Sequence, residues 1–284
     1  MRTLLAIPVF NEQKHVAQVL EHALEVLESD NALQAAGGTL ETSVLVIDDG
    51  STDATPQLLA QFPVEVVRHS TNRGYGRSMQ DAFRWAAVDR FDWVITMDCD
   101  EQHEPDALPE FLEAQAAADA ARDDTPQSNP AQSNSDAADV ISGSRYFIPP
   151  EATQAEGAPP PDRRRINGLI TTELNERLGL SLTDGFCGYK SYRVAALEKL
   201  RLTQDGYAFP MQFWVQAVAH GLTTREIPVK LIYNDLKRSF GGPLDIAETR
   251  LAHYRRVLHC ELDRCGPSLP TAALAGVTAD CPGA

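Results

Sequence analysis

Residues 93–100 read Trp93-Val94-Ile95-Thr96-Met97-Asp98-Cys99-Asp100, an apolar run that ends in two carboxylates one residue apart. A short apolar run bounded by polar residues is typical of a buried strand. Mg²⁺ usually binds one or two protein carboxylates and takes its remaining ligands from water and substrate phosphate. The stretch therefore predicts a metal site at the end of a buried strand, with Asp98 and Asp100 as the ligands.

Strand and helix patterns alternate along the first hundred residues. Period-2 and continuous apolar runs predict strands at residues 3–9, 44–47, 64–67 and 93–97, and helical spacing predicts helices at 13–28, 52–62 and 75–88. Such alternation predicts an α/β fold with a mostly parallel sheet and helices on both faces. Ligands bind these sheets at the carboxyl ends of the strands. The polar residues at those ends are Asn11, Asp48, Asp49, Asp98 and Asp100.

The second half of the chain is less regular. We predict strands at residues 140–142 and 226–232, and helices at 105–118, 163–178, 209–220 and 244–262. Two polar stretches, 115–138 and 149–162, are interpreted as flexible insertions because they are rich in Ala, Asp, Ser, Asn, Gln and Pro. Residues 263–284 are predicted to be a disordered tail.

Composition limits the class of protein. The 284 residues are 43% hydrophobic and 23% charged, which is ordinary for a globular chain, and no apolar run reaches the length of a membrane helix. A net charge of −15 disfavours nucleic-acid binding. The charge is uneven, with −11 over residues 101–162 and +5 over residues 163–264. The basic part suits an anionic acceptor or surface, and chance variation between solvated faces is the alternative.

The five cysteines are odd in number and scattered, with no C-x-x-C pair. This spacing argues against a disulfide framework and against a zinc site. Reduced thiols in a cytoplasmic protein are the simpler interpretation.

Three segments, in this order, resemble the nucleotide-sugar half of a family 2 glycosyltransferase. They are Ile7-Pro8-Val9-Phe10-Asn11-Glu12, Val46-Ile47-Asp48-Asp49-Gly50-Ser51-Thr52-Asp53, and Asp98-Cys99-Asp100-Glu101-Gln102-His103. The third, D-x-D-x-Q-H, is similar to the form in dolichol-phosphate mannose synthases and other polyprenyl-phosphate glycosyltransferases. The resemblance implies a single GT-A (Rossmann-like) domain over residues 1–262, with the nucleotide-sugar half at 1–104 and the acceptor half at 139–262.

The resemblance also implies a donor site. Asp100 would bind Mg²⁺ or Mn²⁺ most directly, and Asp98 would contact the sugar or ribose as well as the metal. Asp49 would face the base or ribose. Taken alone, its segment would more simply be a turn that caps a helix, but the other two segments favour the ligand-binding interpretation. The donor-binding set is completed by Pro8, Asn11, Glu12, Gln102, Lys237 and Arg238. His103 is interpreted as a polar residue near the site.

Segments of the second half resemble the acceptor side of the same subfamily. They are Gly143-Ser144-Arg145-Tyr146, Arg163-Arg164-Arg165 and Asp184-Gly185-Phe186-Cys187-Gly188-Tyr189-Lys190. A hydroxyl acceptor needs a general base, for which Asp184 is the candidate by position. A phosphate acceptor is already anionic and needs none. Asp184 would then orient the acceptor or cap a turn, and the four arginines would bind the phosphate.

The resemblance implies a metal-dependent, inverting glycosyltransferase that moves a sugar from a GDP- or UDP-linked donor to a polyprenyl (dolichyl-type) phosphate. One alternative is a soluble glycosyltransferase with a small phosphorylated or hydroxylated acceptor. Another is a catalytically silent nucleotide-sugar binding protein, which the intact Asp98 and Asp100 disfavour. We expect a cytoplasmic protein that contacts the membrane peripherally, if at all. The basic helix at residues 244–262 is the candidate surface for that contact, and the alternative, which is the more common arrangement for such a helix, is that it packs on its own domain.

Overall fold

The computed structural model describes residues 1–100, 102–123, 137–147, 157–233, 241–277 and 281. The strands of this part form one seven-stranded sheet in the order β3-β2-β1-β4-β6-β5-β7. Their bounds are β1 Arg2–Val9, β2 Glu41–Asp48, β3 Glu65–Arg68, β4 Trp93–Thr96, β5 Val140–Ser144, β6 Lys190–Arg193 and β7 Thr224–Pro228. The predicted α/β fold with one sheet is confirmed.

The sheet is parallel apart from one strand. β1 pairs in parallel with β2 and β4, β2 with β3, and β5 with β7. β6 lies between β4 and β5 and is antiparallel to both. The carboxyl ends of β1, β2 and β4 and the amino end of β6 therefore meet at the same edge.

Helices cover both faces of the sheet. The helices are α1 Val16–Leu27, α2 Asp30–Ala35, α3 Thr55–Leu59, α4 Tyr75–Val88, α5 Leu108–Asp123, α6 Pro161–Leu178, α7 Val194–Leu197, α8 Phe209–Ala219 and α9 Ala247–Cys265. Leu4 and Ala6 belong to the core beneath α4, α6, α8 and α9, whereas Leu5 and Ile7 belong to the core beneath α1 and α5. Successive side chains of a strand point to opposite faces, so burial on both sides requires the continuous apolar runs seen in the sequence.

Sequence patterns did not predict β6, although it lies in the middle of the sheet. Its residues, Lys190-Ser191-Tyr192-Arg193, lack the apolar run of a central strand. Side chains from distant parts of the chain contact them instead. Gln115 donates to Ser191 Oγ at 2.7 Å, Arg193 Nη1 lies 2.7 Å from Asp119 Oδ1, and the Arg193 guanidinium lies 4.4 Å from the centre of the Trp93 ring. These tertiary contacts take the place of the expected hydrophobic pattern.

Two helices overlap the ends of the predicted insertions. α5 extends through Asp123, and Gln115 and Ala118 on it are buried, so the stretch predicted to begin at residue 115 starts as helix. The second predicted insertion, 149–162, overlaps the start of α6 at Pro161. Residues 124–136 and 148–156, which hold most of the two predicted insertions, lie outside the described residues.

The predicted disordered tail is partly wrong. α9 runs through Cys265, and a 3-10 turn at Thr271–Leu274 buries Ala273 completely. Arg177 on α6 fixes this turn, since its Nη1 donates to the carbonyls of Ala273 and Ala275 at 3.0 and 2.9 Å. The folded-back segment brings Cys281 to Cys260 in a disulfide, so the expectation of five reduced thiols is also wrong.

Candidate functional site

A cavity of about 710 Å³ opens at the edge of the sheet where β1, β2 and β4 end. It brings together most of the predicted site residues, namely Pro8, Asn11, Glu12, Asp49, Asp98, Asp100, Gln102, Arg145 and Arg163. Three predicted residues, Asp184, Arg164 and Arg165, do not line it. Lys237 and Arg238 lie outside the described residues. Residues of the two halves of the chain therefore share one cavity.

His103 holds the turn that carries the two carboxylates. Its Nδ1 accepts a hydrogen bond from the backbone N–H of Asp98 at 2.9 Å, and its ring stacks on Tyr189 with centroids 5.0 Å apart. Burial lowers the pKa of His103 to about 4, so the imidazole is neutral near pH 7 and Nδ1 can accept. Its interpretation as a simple polar residue near the site is therefore wrong, because polarity alone does not reveal burial.

The carboxylates of Asp98 and Asp100 fit a hard divalent cation. The Asp98 side chain is 33% exposed and lines the cavity, and Asp100 Oδ1 accepts from the Gln102 N–H at 3.1 Å. Within the described ranges, no group of three or more His, Cys, Asp and Glu side chains gathers as a metal cluster. Two oxygen ligands are nevertheless the usual protein share of a Mg²⁺ site that also binds substrate phosphate.

Gly188 leaves the space that the Asp98 carboxylate occupies. A Cβ atom at this position would lie 2.7 Å from Asp98 Oδ2 and 3.1 Å from the Tyr75 hydroxyl. The pairing of Thr96 with Lys190 across β4 and β6, continued by two residues, places Asp98 beside Gly188. The strand that sequence patterns missed thus brings the acceptor-side segment against the carboxylate pair.

Asn11 joins the loops that follow β1 and β2. Its backbone has φ 58°, in the left-handed region that Asn tolerates better than most residues. Its side-chain oxygen accepts from the backbone N–H of Thr52 at 2.8 Å, and its own N–H donates to Ser51 Oγ at 2.9 Å. The side chain and the backbone N–H of Asn11 therefore join the loop after β1 to the loop after β2 in the wall of the cavity.

Asp49 organises the loop after β3. Its Oδ1 and Oδ2 accept from the backbone N–H groups of Arg73 and Gly74, each at 2.8 Å. His69 contacts Asp49 Oδ1 at 2.6 Å through Nδ1 and Asp81 Oδ2 at 3.0 Å through Nε2. This buried chain was not foreseen from sequence, since its members are separated by up to 32 positions and only the fold brings them together.

Arg145 and Asp184 form a buried ion pair. Arg145 Nε and Nη2 donate to the two carboxylate oxygens at 2.6 and 3.0 Å, and the Asp184 side chain is 1% exposed. Asp184 Oδ1 also accepts from the N–H groups of Phe186 and Cys187, both at 3.1 Å. Burial raises the pKa of Asp184, but Arg145, Lys190 and the N–H of Phe186 together outweigh this effect and hold the pKa below its ordinary value. A carboxylate in this state is a weak proton acceptor.

The three consecutive arginines at the start of α6 reach two different places. Arg163 lines the cavity, and its Nη1 donates to the Tyr233 hydroxyl at 2.5 Å. Arg164 and Arg165 lie in a separate, open groove of about 1100 Å³ between α6 and α9. Consecutive residues of a helix point about 100° apart, so the predicted triplet could not act as one phosphate cluster.

The groove between α6 and α9 is a weaker candidate for the functional site than the cavity. Glu173 in this groove contacts Arg177, Arg255 and His259 at 3.1, 2.9 and 3.2 Å. Its carboxylate therefore already neutralises part of the positive charge that these basic side chains bring to the groove. The groove also lies away from the strand ends. Within the described residues, no helix is long and apolar enough to cross a membrane.

Part of the cavity lining, which we call its aromatic half, consists of rings and contains one buried lysine. Lys190 Nζ donates to the carbonyl of Cys187 and lies 5.6 Å from the centre of the Trp214 ring. Sequence reasoning placed Lys190 in an acceptor-side segment without giving it a role. The rings that line this part are Tyr146, Phe186, Tyr207, Phe209, Phe213, Trp214, Tyr233 and Tyr254.

Relatives of known activity match most of the chain. An undecaprenyl-phosphate mannosyltransferase from Micrococcus luteus is 27% identical over 247 residues, which cover 84% of this chain and 87% of the relative. A polyprenol monophosphomannose synthase from Mycolicibacterium smegmatis is 25% identical and covers 83% of this chain and 79% of its own.

Solved structures share the fold. Glucosyl-3-phosphoglycerate synthase from Mycobacterium tuberculosis in complex with UDP superimposes with a TM-score of 0.60 at 17% identity, over 94% of this chain and 80% of that one. The same enzyme with Mn²⁺, UDP and glucosyl-3-phosphoglycerate gives a TM-score of 0.57 at 16% identity. The family description "Glycosyl transferase family 2" matches residues 5–201, more than half of the chain. The protein therefore belongs to glycosyl transferase family 2 and is a glycosyltransferase.

Proposed function

We propose that this protein transfers a sugar from a nucleoside-diphosphate sugar to the phosphate of a polyprenyl phosphate, with inversion at the anomeric carbon. One observation supports the proposal: a single cavity is lined both by the carboxylate pair Asp98 and Asp100 and by Arg145, Arg163 and aromatic rings. The carboxylates suit a metal-bound diphosphate, and the arginines and rings suit a phosphate attached to an apolar chain.

In the proposed reaction, an acceptor phosphate oxygen attacks the anomeric carbon from the face opposite the diphosphate. The new carbon–oxygen bond forms as the bond to the diphosphate breaks, and the nucleoside diphosphate leaves with the electron pair. A bound Mg²⁺ or Mn²⁺, held by Asp98 and Asp100, would neutralise charge on the departing diphosphate. The acceptor is already an anion near neutral pH, so no general base is required.

The state of Asp184 supports a phosphate acceptor. A hydroxyl acceptor needs a base with a pKa near the working pH, whereas the pKa of Asp184 is held below its ordinary value by Arg145. We assign Asp184 a structural part: it fixes Arg145 and the turn at Phe186 and Cys187. The names of the Micrococcus and Mycolicibacterium relatives, an undecaprenyl-phosphate mannosyltransferase and a polyprenol monophosphomannose synthase, support the same acceptor class.

The donor assignments follow from position in the cavity. We propose that Pro8, Asn11, Glu12 and Asp49 bind the nucleoside, as the order of the loops at the ends of β1 and β2 suggests. Gln102 stands beside Asp100 and is proposed to contact the sugar or diphosphate. The proposed place of action is the cytoplasmic face of a membrane, which the protein approaches from solution to reach the lipid phosphate.

The test is release of nucleoside diphosphate by the purified protein. The assay uses GDP-, UDP- and dTDP-sugars with Mg²⁺ or Mn²⁺, with and without polyprenyl phosphate, and D100N as the control variant. Release that depends on metal and lipid, and that D100N loses, supports the proposal. Stimulation by 3-phosphoglycerate instead of the lipid would assign a small phosphorylated acceptor. No release from any donor would overturn the proposal.

A further inference from the structure

Lys190 is a buried cation on the wall of the cavity. The residue is 4% exposed, and it lines the cavity together with Cys187 and Trp214, which surround its ammonium group. A buried ammonium group costs much free energy unless a partner compensates its charge. The contacts described here, a backbone carbonyl and the face of an indole ring, compensate that charge only in part.

The carboxylates near Lys190 are committed to other groups. Asp184 makes its two-point ion pair with Arg145. Glu226 accepts from the N–H and hydroxyl of Thr183 at 2.8 and 2.9 Å and from the N–H of Asp184 at 3.1 Å. Among the ion pairs of the described residues, none joins Lys190 to a carboxylate. The buried residues Arg145, Asp184 and Lys190 carry one more positive than negative charge, and the half-buried carboxylate of Glu226 acts on Lys190 without forming an ion pair with it.

Burial has the expected effect on this cluster. It lowers the pKa of Lys190, while Asp184 acts in the opposite direction. It also raises the pKa of the Cys187 thiol to about 11, so this neighbour is neutral at physiological pH and supplies no negative charge. An anion that enters the cavity would therefore meet an ammonium group that no carboxylate of the described residues contacts.

Lys190 lies next to both the donor carboxylates and the aromatic half of the cavity. It is paired with Thr96 across β4 and β6, two residues before Asp98, and its neighbour Trp214 is one of the rings of that half. An ammonium group has three N–H donors, of which Cys187 takes one, so two remain for a ligand. Arg145, by contrast, already directs Nε and Nη2 to Asp184.

We infer that Lys190 binds the phosphate group of the acceptor and selects a phosphate-bearing acceptor over the corresponding alcohol. This inference rests on the proposed function and deepens it, because it assigns the charge that recognises the acceptor. Arg145 and Asp184 hold the segment around Lys190 in place, and the ammonium group supplies the direct contact. The lipid chain extends over the aromatic half of the cavity.

The experiment compares K190M with the wild-type enzyme, using farnesyl phosphate and farnesol as acceptors and the preferred nucleotide sugar as donor. The Michaelis constant for farnesyl phosphate should rise at least about tenfold, since the variant loses a charge-assisted hydrogen bond to the phosphate. Binding of the free nucleoside diphosphate with Mn²⁺, measured by calorimetry, should change less than about twofold, which also shows that the variant is folded. K190R should recover part of the loss. K199M, which removes an exposed lysine, should match the wild type.

The outcomes separate the inference from the function on which it rests. If K190M has the same turnover and the same Michaelis constant for farnesyl phosphate as the wild-type enzyme, the role of Lys190 is overturned and the proposed function is not. Equal weakening of nucleoside diphosphate binding would place Lys190 on the donor and also overturn the inference. Wild-type turnover on farnesol as fast as on farnesyl phosphate would overturn the selection of phosphate. A wild-type enzyme without any transfer to farnesyl phosphate would overturn the proposed function, and the inference with it.

Discussion

The two ends of the cavity are built in different ways. The end near Asp98 uses the carboxyl ends of β1, β2 and β4, which are neighbouring parallel strands. The end near Lys190 uses β6, which is antiparallel and so brings its amino end to the same edge. Polar residues that follow parallel strands are easy to group from sequence, whereas residues that precede an antiparallel strand are not. The first end depends on carboxylates that line the cavity, and the second on a buried ion pair.

The largest expected effect is at the first end. D100N should lower the metal-dependent turnover by about a thousandfold, because it removes a charge that holds the metal against the diphosphate. Stability should be nearly unchanged, since the amide oxygen can still accept from the Gln102 N–H. Turnover and urea unfolding of the same preparation check both statements. A loss of less than tenfold would show that the cavity does not depend on this carboxylate.

The second end should instead respond in stability. D184N leaves Arg145 as an unpaired buried cation, and we expect the free energy of unfolding to fall by about 3 kcal/mol. The matched control is E248Q, which breaks the 3.8 Å contact of an exposed pair with Arg165 and should cost less than about 1 kcal/mol. Equal, small effects in urea unfolding would contradict the contrast between the two ends.

The same D184N variant sharpens the question of the base. At a temperature where it remains folded, its turnover with polyprenyl phosphate should fall by less than about tenfold, because the acceptor brings its own negative charge. A loss above about a hundredfold would restore Asp184 as a general base. It would also favour a hydroxyl acceptor.

A smaller effect is expected where the two ends meet, at the turn that His103 holds. H103A leaves the Asp98 N–H without its acceptor, and kcat/KM should fall by about tenfold as the carboxylate loses its orientation. H103N offers a side-chain oxygen in place of Nδ1 and should recover part of the activity. Titration with Mn²⁺ is the further readout, because a merely structural role would leave the metal concentration for half activity unchanged.

The smallest expected effect separates the arginines of α6. R163Q should raise the Michaelis constant for the lipid phosphate by about fivefold. Arg163 is half-buried, and one hydrogen bond from such a side chain to a phosphate contributes about 1 kcal/mol. R165Q should change it by less than about twofold, because Arg165 lies in the groove between α6 and α9. Equal effects in the two variants would mean that the groove also contacts the acceptor.

Much of the fold could be predicted from local sequence patterns. The helix predicted at residues 75–88 matches α4, and the strands of the first hundred residues agree within a few residues at each end. These elements bury apolar faces, so their periodicity appears directly in the sequence. β6 was missed because its burial depends on partners such as Gln115 and Trp93, which lie 76 to 100 positions away.

The candidate site was predictable to a similar extent. Asn11, Asp49, Asp98 and Asp100 were grouped correctly in one cavity because they follow parallel strands. Arg164 and Arg165 were not, because helix rotation separates neighbours in sequence. The anchoring roles of His103 and Asp184 depend on burial, which single residue types do not show. Lys190 belonged to a segment quoted from the sequence but had no predicted role. Only the structure shows that, among the described residues, no carboxylate forms an ion pair with it.

Analysis of the lipid product tests the function of the joined cavity most directly. Purified enzyme, the preferred nucleotide sugar, Mn²⁺ and a polyprenyl phosphate are incubated together, and the lipid fraction is analysed by mass spectrometry and NMR. We predict one new glycosyl phosphate lipid, with an anomeric configuration opposite to that of the donor, formed in step with nucleoside diphosphate release. Nucleoside diphosphate release without any glycosylated lipid, or a product that retains the donor configuration, would contradict the proposed transfer.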